Sequence, residues 1–168
     1  MQIVKEVTTD NTEVVVDQVC EMISYVSASG NGNSVPSSCV EKPYLLWPRW
    51  SDRLEAIGTI GMVRCYQYNT ECGAPLSCDT TPKPTSADEV WSLVKPERFD
   101  NYQKTKVSNS MMDHYYDKLL HIAVFDKSVV QNSFLVEEAA RRVQPLVDVC
   151  LSYGKNGEVP VELIKSYM

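Results

Sequence analysis

The sequence has 168 residues, of which 43% are hydrophobic, 23% charged and 9% aromatic, a composition typical of one folded globular domain. Sixteen Lys and Arg against 22 Asp and Glu give a formal net charge of −6, which argues against general nucleic-acid binding. The apolar runs are far shorter than the roughly 20 residues that cross a bilayer, and the first residues lack a secretory signal pattern. We therefore expect a single domain over residues 1–168, without membrane contact and in an intracellular location, cytoplasmic or organellar.

The first part of the chain predicts one helix followed by a loop. Residues 10–13, Asp-Asn-Thr-Glu, have the capping-box pattern and are followed by apolar residues at helical spacing. We expect this first helix to end near Gly30. Residues 29–43 are rich in Ser, Asn, Gly and Pro, which favour turns, so they are expected to form a loop.

The second predicted helix opens at Ser51. From Leu54 to Tyr68 apolar residues occupy almost every face, and a helix that is apolar all round is a core helix. Gly58 and Gly61 each disfavour a helix interior by about 1 kcal/mol relative to Ala. Their presence indicates that a neighbouring backbone packs closely against this helix.

A second loop is predicted at residues 69–85, which contain one Gly and three Pro. Ser86 begins a capping-box pattern for a short helix through Val94, and Pro96 ends that helix. The polar segment at residues 97–109 shows no clear periodicity, and we assign it no structure.

Two further helices complete the predicted fold. One starts at Ser110 and carries an apolar stripe of Met, Tyr and Leu residues. The other spans residues 133–153, with a kink at Pro145 and an end at Gly154, and Pro160 suits the first turn of a terminal stub. Because no run of residues shows the alternation of a strand, the sequence predicts an all-α fold.

Three polar residues on the helix after Ser110 are candidates for chemistry. His114 and His121 lie seven residues apart, on the same side of the helix, and Asp117 lies four residues before His121, within hydrogen-bonding reach. Two interpretations are open: a functional carboxylate and imidazole cluster, or the solvated face of an amphipathic helix. For His114, which precedes two tyrosines, half-buried packing is a further alternative.

The start of the second helix carries another group of charged residues. Asp52 and Glu55 lie on its first turn, where the helix N-terminus favours carboxylates without any catalytic role. Arg53 and Arg64 add positive charge to a helix that otherwise enters the core, which indicates a polar pocket near its ends. Nucleotide binding without turnover, through Arg53, Arg64 and nearby groups, is one function for such a pocket.

Two segments resemble a known family. Residues 52–64, DRLEAIGTIGMVR, resemble a segment of the stand-alone branch of the HD-domain metal-dependent phosphohydrolases. Residues 110–122, SMMDHYYDKLLHI, resemble a later helix of the same branch. With the turn CGAPL at residues 72–76, the resemblance covers roughly residues 15–153.

The resemblance implies an all-α bundle that holds one divalent ion, of the Mn, Mg or Fe class, and activates water against a phosphoester or nucleotide. In the family the ion is held by a His, a His-Asp dyad and a final Asp, and the final Asp corresponds to Asp52. Arg53 and Glu55 match the positions next to it. The candidates for the surrounding pocket are then Arg53, Glu55, Arg64, His114, Asp117 and His121.

The other metal ligands of the family are missing from this sequence. Its two histidines, His114 and His121, both follow Asp52, and neither precedes an Asp. One carboxylate alone binds a divalent ion weakly, since such sites assemble several protein ligands. We therefore expect an HD-like bundle that lacks the N-terminal ligand-bearing part, and neither a bound metal nor hydrolysis by this chain alone.

Two explanations of the missing ligands stay open. The chain is either the C-terminal portion of a longer polypeptide whose first part supplies them, or a degenerate homologue, a pseudoenzyme that kept the scaffold. In the second case a non-catalytic helical subunit that docks into a larger assembly is the alternative function. Tyr44, Trp47 and Trp50 are candidates for an interface with a protein partner, and ordinary closure of the core is the competing interpretation of these aromatic residues.

Overall fold

The computed structural model describes residues 12–168, and in that range it contains helices and no strand, which confirms the all-α class. The proposed capping residues 10 and 11 lie outside the described residues. None of the described helices is long and apolar enough to cross a membrane. The helices are α1 (Thr12–Ser24), α2 (Ala28–Asn31), α3 (Ser37–Val40), a 3₁₀ turn (Pro43–Leu46), α4 (Trp47–Ile57), α5 (Thr59–Glu71), α6 (Ala87–Ser92), α7 (Pro96–Thr105), α8 (Met111–His114), a π-helical turn (Tyr115–Leu119), α9 (Leu120–Ile122), α10 (Lys127–Val130), α11 (Ser133–Arg142), α12 (Gln144–Asn156) and α13 (Val161–Lys165).

Helix α1 ends at Ser24, so the predicted end near Gly30 is wrong. Side chains from outside the helix donate hydrogen bonds to the carbonyl groups at its end. Asn31 Nδ2 donates to the carbonyl of Ser24, the last helical residue, at 2.9 Å, and Arg49 Nε donates to the carbonyl of the next residue, Tyr25, at 2.7 Å. The chain therefore turns before the one-turn helix α2. The loop expected at residues 29–43 is correct only in part, because it contains the end of α2 and the one-turn helix α3.

Helix α4 begins at Trp47, one turn before the predicted start at Ser51, with Pro48 in its first turn. Proline suits this position because a backbone N–H in the first turn has no acceptor within the helix, so the absence of an N–H in proline costs no hydrogen bond. The predicted continuous helix is broken at Gly58, whose backbone is extended (φ −88°, ψ −173°), and α5 starts at the next residue.

The break brings α4 and α5 against each other at Gly61. A Cβ at this position would overlap the backbone of Ala56, so the predicted close approach at Gly61 is confirmed, and the approaching backbone is the end of α4 itself. The prediction of a helix buried on all sides is wrong for α5. Met62 is its buried residue, whereas Ile60 and Tyr68 are exposed.

Helix α8, the π-helical turn and α9 follow one another without a gap and are called here the composite helix. The predicted start at Ser110 is confirmed: Ser110 Oγ accepts a hydrogen bond from the Asp113 N–H at 3.1 Å. The composite helix packs on α4, α5 and α7 and supplies much of the core. Its fully buried apolar side chains include Met111, Met112, Tyr115, Tyr116 and Leu120.

The last predicted helix is two helices. Helix α11 ends at Arg142, and α12 starts at Gln144 with Pro145 in its first turn, so the proline begins a helix instead of kinking one. Helix α12 ends at Asn156 and not at Gly154, and Gly157, in the left-handed region at φ +75°, caps it. Gly154 instead allows the backbone of Pro84 to pass where a Cβ would lie.

Of the shorter helices, α6 was predicted from the sequence and α7 was not. Ser86 caps α6 by accepting from the Glu89 N–H at 3.2 Å, as its capping-box pattern predicts. The predicted loop at residues 69–85 is helical only up to Glu71. Helix α7 fills most of the segment at 97–109, to which the sequence assigned no structure.

Candidate functional site

A cleft of about 770 Å³ lies between α5, the C-terminal end of α7 and the composite helix. Ligand sites in proteins typically have volumes of roughly 300–1,000 Å³. Three basic side chains line the cleft, Arg64, Lys106 and Lys118, together with one acidic side chain, Glu71. The chain as a whole has a net charge of −6, so the excess of basic residues is a local property of the cleft.

Aromatic and imidazole rings from α7 and the composite helix form one wall of the cleft. The His114 ring meets the Tyr102 ring edge-on, with 5.1 Å between centroids, and Lys118 Nζ lies 5.5 Å from the Tyr102 centroid. Burial, followed by the positive charge of Lys118, lowers the pKa of His114 to about 4. The imidazole is therefore neutral at pH 7, with one nitrogen that donates and one that accepts hydrogen bonds.

Lys118 links the charged groups around the cleft. Its pKa is lowered by burial and by the charge of Arg64, while Cys65 and Asp52 act in the opposite direction. The buried thiol of Cys65 has its pKa raised to about 11, so it is uncharged at pH 7. A half-buried ammonium that has lost part of its water gains most from an anion, because a nearby negative charge restores the stability of its charged form.

Asp52, the position that corresponds to the family's metal ligand, is exposed on α4. The charged groups that feel its carboxylate are the guanidinium of Arg53 and the ammonium of Lys118. In the described range no group of three or more His, Cys, Asp or Glu is arranged to hold a metal ion. One exposed carboxylate beside two cations does not fit a divalent ion, which needs several oxygen or nitrogen donors.

Arg53 does not line the cleft, although the sequence placed it in the same pocket as Arg64. Its side chain is fully buried and points to the segment between α1 and α3, where Nη1 donates to Asn33 Oδ1 at 2.6 Å and Nη2 donates to the Gly32 carbonyl. Arg64 lines the cleft, whereas Arg53 lies elsewhere in the protein interior.

Glu55 lies at a separate, smaller cavity of about 290 Å³ between α4, α5 and α11. Its carboxylate accepts from Arg142 Nη1 at 2.8 Å, which ties α4 to α11. Arg141 and Arg142 also line this cavity, and both are paired with Glu138, at 2.7 and 3.0 Å. Carboxylates therefore already neutralise the two cations of this cavity.

The predicted contact between Asp117 and His121 is not formed. Asp117 accepts from Arg98 Nε at 2.7 Å, and the His121 ring stacks on Phe99 with 4.1 Å between centroids. The π-helical turn explains the separation, because its wider turn breaks the i, i+4 alignment of an α-helix. His114 and His121 do lie on the same side of the composite helix, since both pack on α7.

Asp113, which was not among the candidate pocket residues, is a buried carboxylate. It accepts from Ser110 Oγ at 2.7 Å, Thr81 Oγ1 at 2.8 Å and Arg98 Nη2 at 3.1 Å. Burial alone would raise the pKa of Asp113, but the hydrogen bonds from Ser110, Thr81 and Arg98 bring it below its ordinary value. These contacts of Asp113 hold α7 and the loop before α6 against the composite helix. They therefore fix the positions of α7 and the composite helix, which are two walls of the cleft.

The aromatic residues proposed for a protein interface have different environments. Trp50 is 2% exposed and packs on Phe125 with 5.0 Å between centroids, so its assignment to a surface patch is wrong and core closure is correct. Tyr44 is half-buried, and Trp47 is 38% exposed with its indole N–H bonded to the Val130 carbonyl at 3.1 Å. An interface at Tyr44 and Trp47 stays a prediction.

Tyr102, Lys106 and Lys118 are among the cleft residues that were not predicted as site residues. Lys118 had a signal, because it lies four residues after His114 and therefore on the same helix face. Tyr102 and Lys106 belong to the segment at 97–109, whose weak periodicity gave no indication of the side chains that face the cleft.

Comparison with known proteins does not assign the chain to a family. No family model and no solved structure matches the chain. The uncharacterized protein L803 of Acanthamoeba polyphaga mimivirus is 38% identical over 135 residues, which cover 80% of this chain and 54% of that protein. The chain thus spans about half the length of the viral protein to which it is similar.

Proposed function

We propose that the chain is an HD-like helical scaffold that binds a phosphate-bearing ligand, of the size of a nucleotide, in the 770 Å³ cleft and does not hydrolyse it. One observation carries the proposal. The two segments that resemble the HD family line this same cleft: residues 52–64 contribute Arg64, and residues 110–122 contribute His114 and Lys118.

The chemistry of the cleft favours phosphate over other ligand classes. Arg64, Lys106 and Lys118 offer positive charge, and guanidinium and ammonium groups bind phosphate oxygens through charge-assisted hydrogen bonds. The neutral imidazole of His114 adds a donor or an acceptor that keeps its state over the physiological pH range. The ring of Tyr68, exposed at the cleft, offers a flat apolar surface for the organic part of the ligand.

The proposal stops at binding because the sequence lacks the groups that would activate water in the resembled family. Neither the His nor the His-Asp dyad is present, and Asp52 lies beside Arg53 and Lys118. The positive charge of these two groups disfavours a divalent cation at Asp52.

Calorimetric titration of the full chain with pyrophosphate, ADP and adenosine tests the proposal. We expect the two phosphate-bearing compounds to bind and adenosine to bind much more weakly. Lys118→Met, which keeps the side-chain length, should weaken pyrophosphate binding by roughly 10- to 100-fold, the effect of one charge-assisted hydrogen bond. Lys104→Met is the matched control, since Lys104 lies on α7 but does not line the cleft.

Different results would refute the two parts of the proposal, which are binding in the cleft and the absence of hydrolysis. Equal affinity of Lys118→Met and Lys104→Met for pyrophosphate, or no binding by any variant, would refute the assignment of the cleft. Hydrolysis of a phosphoester in Mn²⁺ or Mg²⁺ that disappears in Asp52→Ala would refute the claim that the chain only binds its ligand.

A further inference from the structure

Helix α4 places two arginines in the protein interior without an acidic partner. Arg49 and Arg53 are both 0% exposed. In the described part of the chain no carboxylate oxygen forms an ion pair with either guanidinium, and Asp52, the carboxylate that acts on Arg53 through space, is exposed. Buried charges in proteins are usually paired, because removal from water is very costly for an isolated ion.

The groups that accept hydrogen bonds from the two arginines are neutral. Arg49 Nε donates to the Tyr25 carbonyl and Nη1 to the Ser34 carbonyl, both at 2.7 Å. Arg53 donates to the amide oxygen of Asn33 and to the backbone carbonyl of Gly32. These bonds hold the segment between α1 and α3 against α4, but none of these acceptors carries a negative charge.

Three donors of this cluster have no acceptor among the residues that the structure describes. They are Arg49 Nη2, Arg53 Nε and the indole N–H of Trp50, and each atom is closed off from solvent. The two guanidinium carbons lie 5.8 and 4.7 Å from the centroid of the Trp50 ring, so both arginines lie against this indole. An unsatisfied buried donor is rare in native proteins and calls for a specific partner.

We propose that Arg49, Arg53 and the Trp50 indole hold a small monoatomic anion of the chloride class. Such an anion supplies the two things that the cluster lacks. These are a negative charge and an acceptor that takes several hydrogen bonds from any direction. Because none of these three donor atoms is open to solvent, the site favours a small anion over a large one. Burial and the neighbouring charge of Arg49 lower the pKa of Arg53 to about 10, the direction expected for two guanidinium groups without a counter-ion.

The anion has a structural consequence. Because the same two arginines bind the carbonyl groups between α1 and α3, their charge compensation stabilises the closure of this segment on α4. The site is separate from the phosphate cleft, whose lining includes neither Arg49 nor Arg53.

Thermal unfolding of the full chain in sodium chloride and sodium gluconate mixtures, at one ionic strength, tests the proposal. Chloride should raise Tm in a saturable way, by roughly 3–8 °C when its concentration reaches tens of times its Kd. Arg53→Met should lose this dependence. Arg141→Met is the matched control, because Arg141 lies on the surface and should leave the chloride dependence unchanged.

A second measurement does not depend on the folding of a variant. Crystals of the wild-type chain grown in bromide should show an anomalous peak within hydrogen-bonding distance of Arg49 Nη2 and Arg53 Nε. A water molecule or a carboxylate oxygen at this position would overturn the proposal. A Tm that does not change with chloride concentration would overturn it as well.

Discussion

The ion-pair group of Arg98 gives the sharpest prediction on stability. Arg98 Nη2 lies 3.1 Å from Asp113 Oδ1, and Arg98 Nε lies 2.7 Å from Asp117 Oδ1. The Arg98 side chain is 25% exposed, and the two carboxylates are 6% and 14% exposed. Arg98→Met keeps the aliphatic stem of the side chain but leaves two poorly solvated carboxylates without their cation.

The expected loss follows from these contacts. Removal of one partner of a buried ion pair typically costs about 3–5 kcal/mol, and partial exposure of the pair reduces this value. Asp113 also keeps its hydrogen bonds from Ser110 and Thr81, so it is not left without donors. We expect the free energy of unfolding to fall by about 2–3 kcal/mol, which corresponds to roughly 4–12 °C in Tm for a chain of this size.

The effect should depend on pH with a defined sign. The hydrogen bonds to Asp113 hold its pKa below the ordinary value, so its contribution to stability is present above the unfolded pKa and is lost as pH falls through the folded pKa. The difference in stability between wild type and Arg98→Met should therefore be largest at pH 7. It should shrink as pH falls through the folded pKa of Asp113, where this carboxylate binds a proton.

Urea denaturation at a series of pH values measures this difference. Arg141→Met is the control, since it removes an arginine from a surface pair with Glu138 and should leave the unfolding midpoint nearly unchanged. If Arg98→Met were as stable as Arg141→Met at pH 7, the group around Asp113 would not hold α7 in place, and the reasoning would fail.

Three further changes test other contacts. Gly61→Ala should destabilise the fold by about 1–3 kcal/mol in thermal unfolding, because the new Cβ meets the Ala56 backbone, whereas Gly30→Ala, with ordinary space, should be nearly neutral. Ser110→Ala should cost about 1–2 kcal/mol in urea denaturation through loss of the helix cap, and a cost near zero would contradict the capping role. His114 should titrate near pH 4 by NMR. Because its folded pKa is depressed, the free energy of unfolding should fall as pH falls from about 6.5 towards 4. His114→Phe should remove this part of the acid sensitivity, and a measured pKa near 6.5 would show that the ring is solvated.

The parts of the fold that short-range signals determine were predictable. The caps at Ser86 and Ser110 each require only a hydroxyl placed three residues before a free backbone N–H, and the structure contains both. The all-α class follows from the periodicity of the apolar residues. The tight approach at Gly61 was also visible, because glycine in a helix interior has a cost that packing must offset.

Contacts between distant segments explain what the sequence did not reveal. The early end of α1 depends on Arg49, which lies 24 residues after the carbonyl that it binds. The separation of Asp117 from His121 depends on a π-helical turn that no local pattern announced. In the cleft, the residues found from the sequence lie on helices with clear periodicity, and Tyr102, on the polar α7, was missed.

The central claim is that the cleft between α5, α7 and the composite helix binds phosphate, and NMR mapping tests it most directly. A titration of the ¹⁵N-labelled full chain with pyrophosphate should move the amide signals of residues 61–69, 106–110 and 114–118, which border the cleft. Shifts centred instead on Arg141 and Arg142 at the smaller cavity, or no shifts at millimolar pyrophosphate, would contradict the claim.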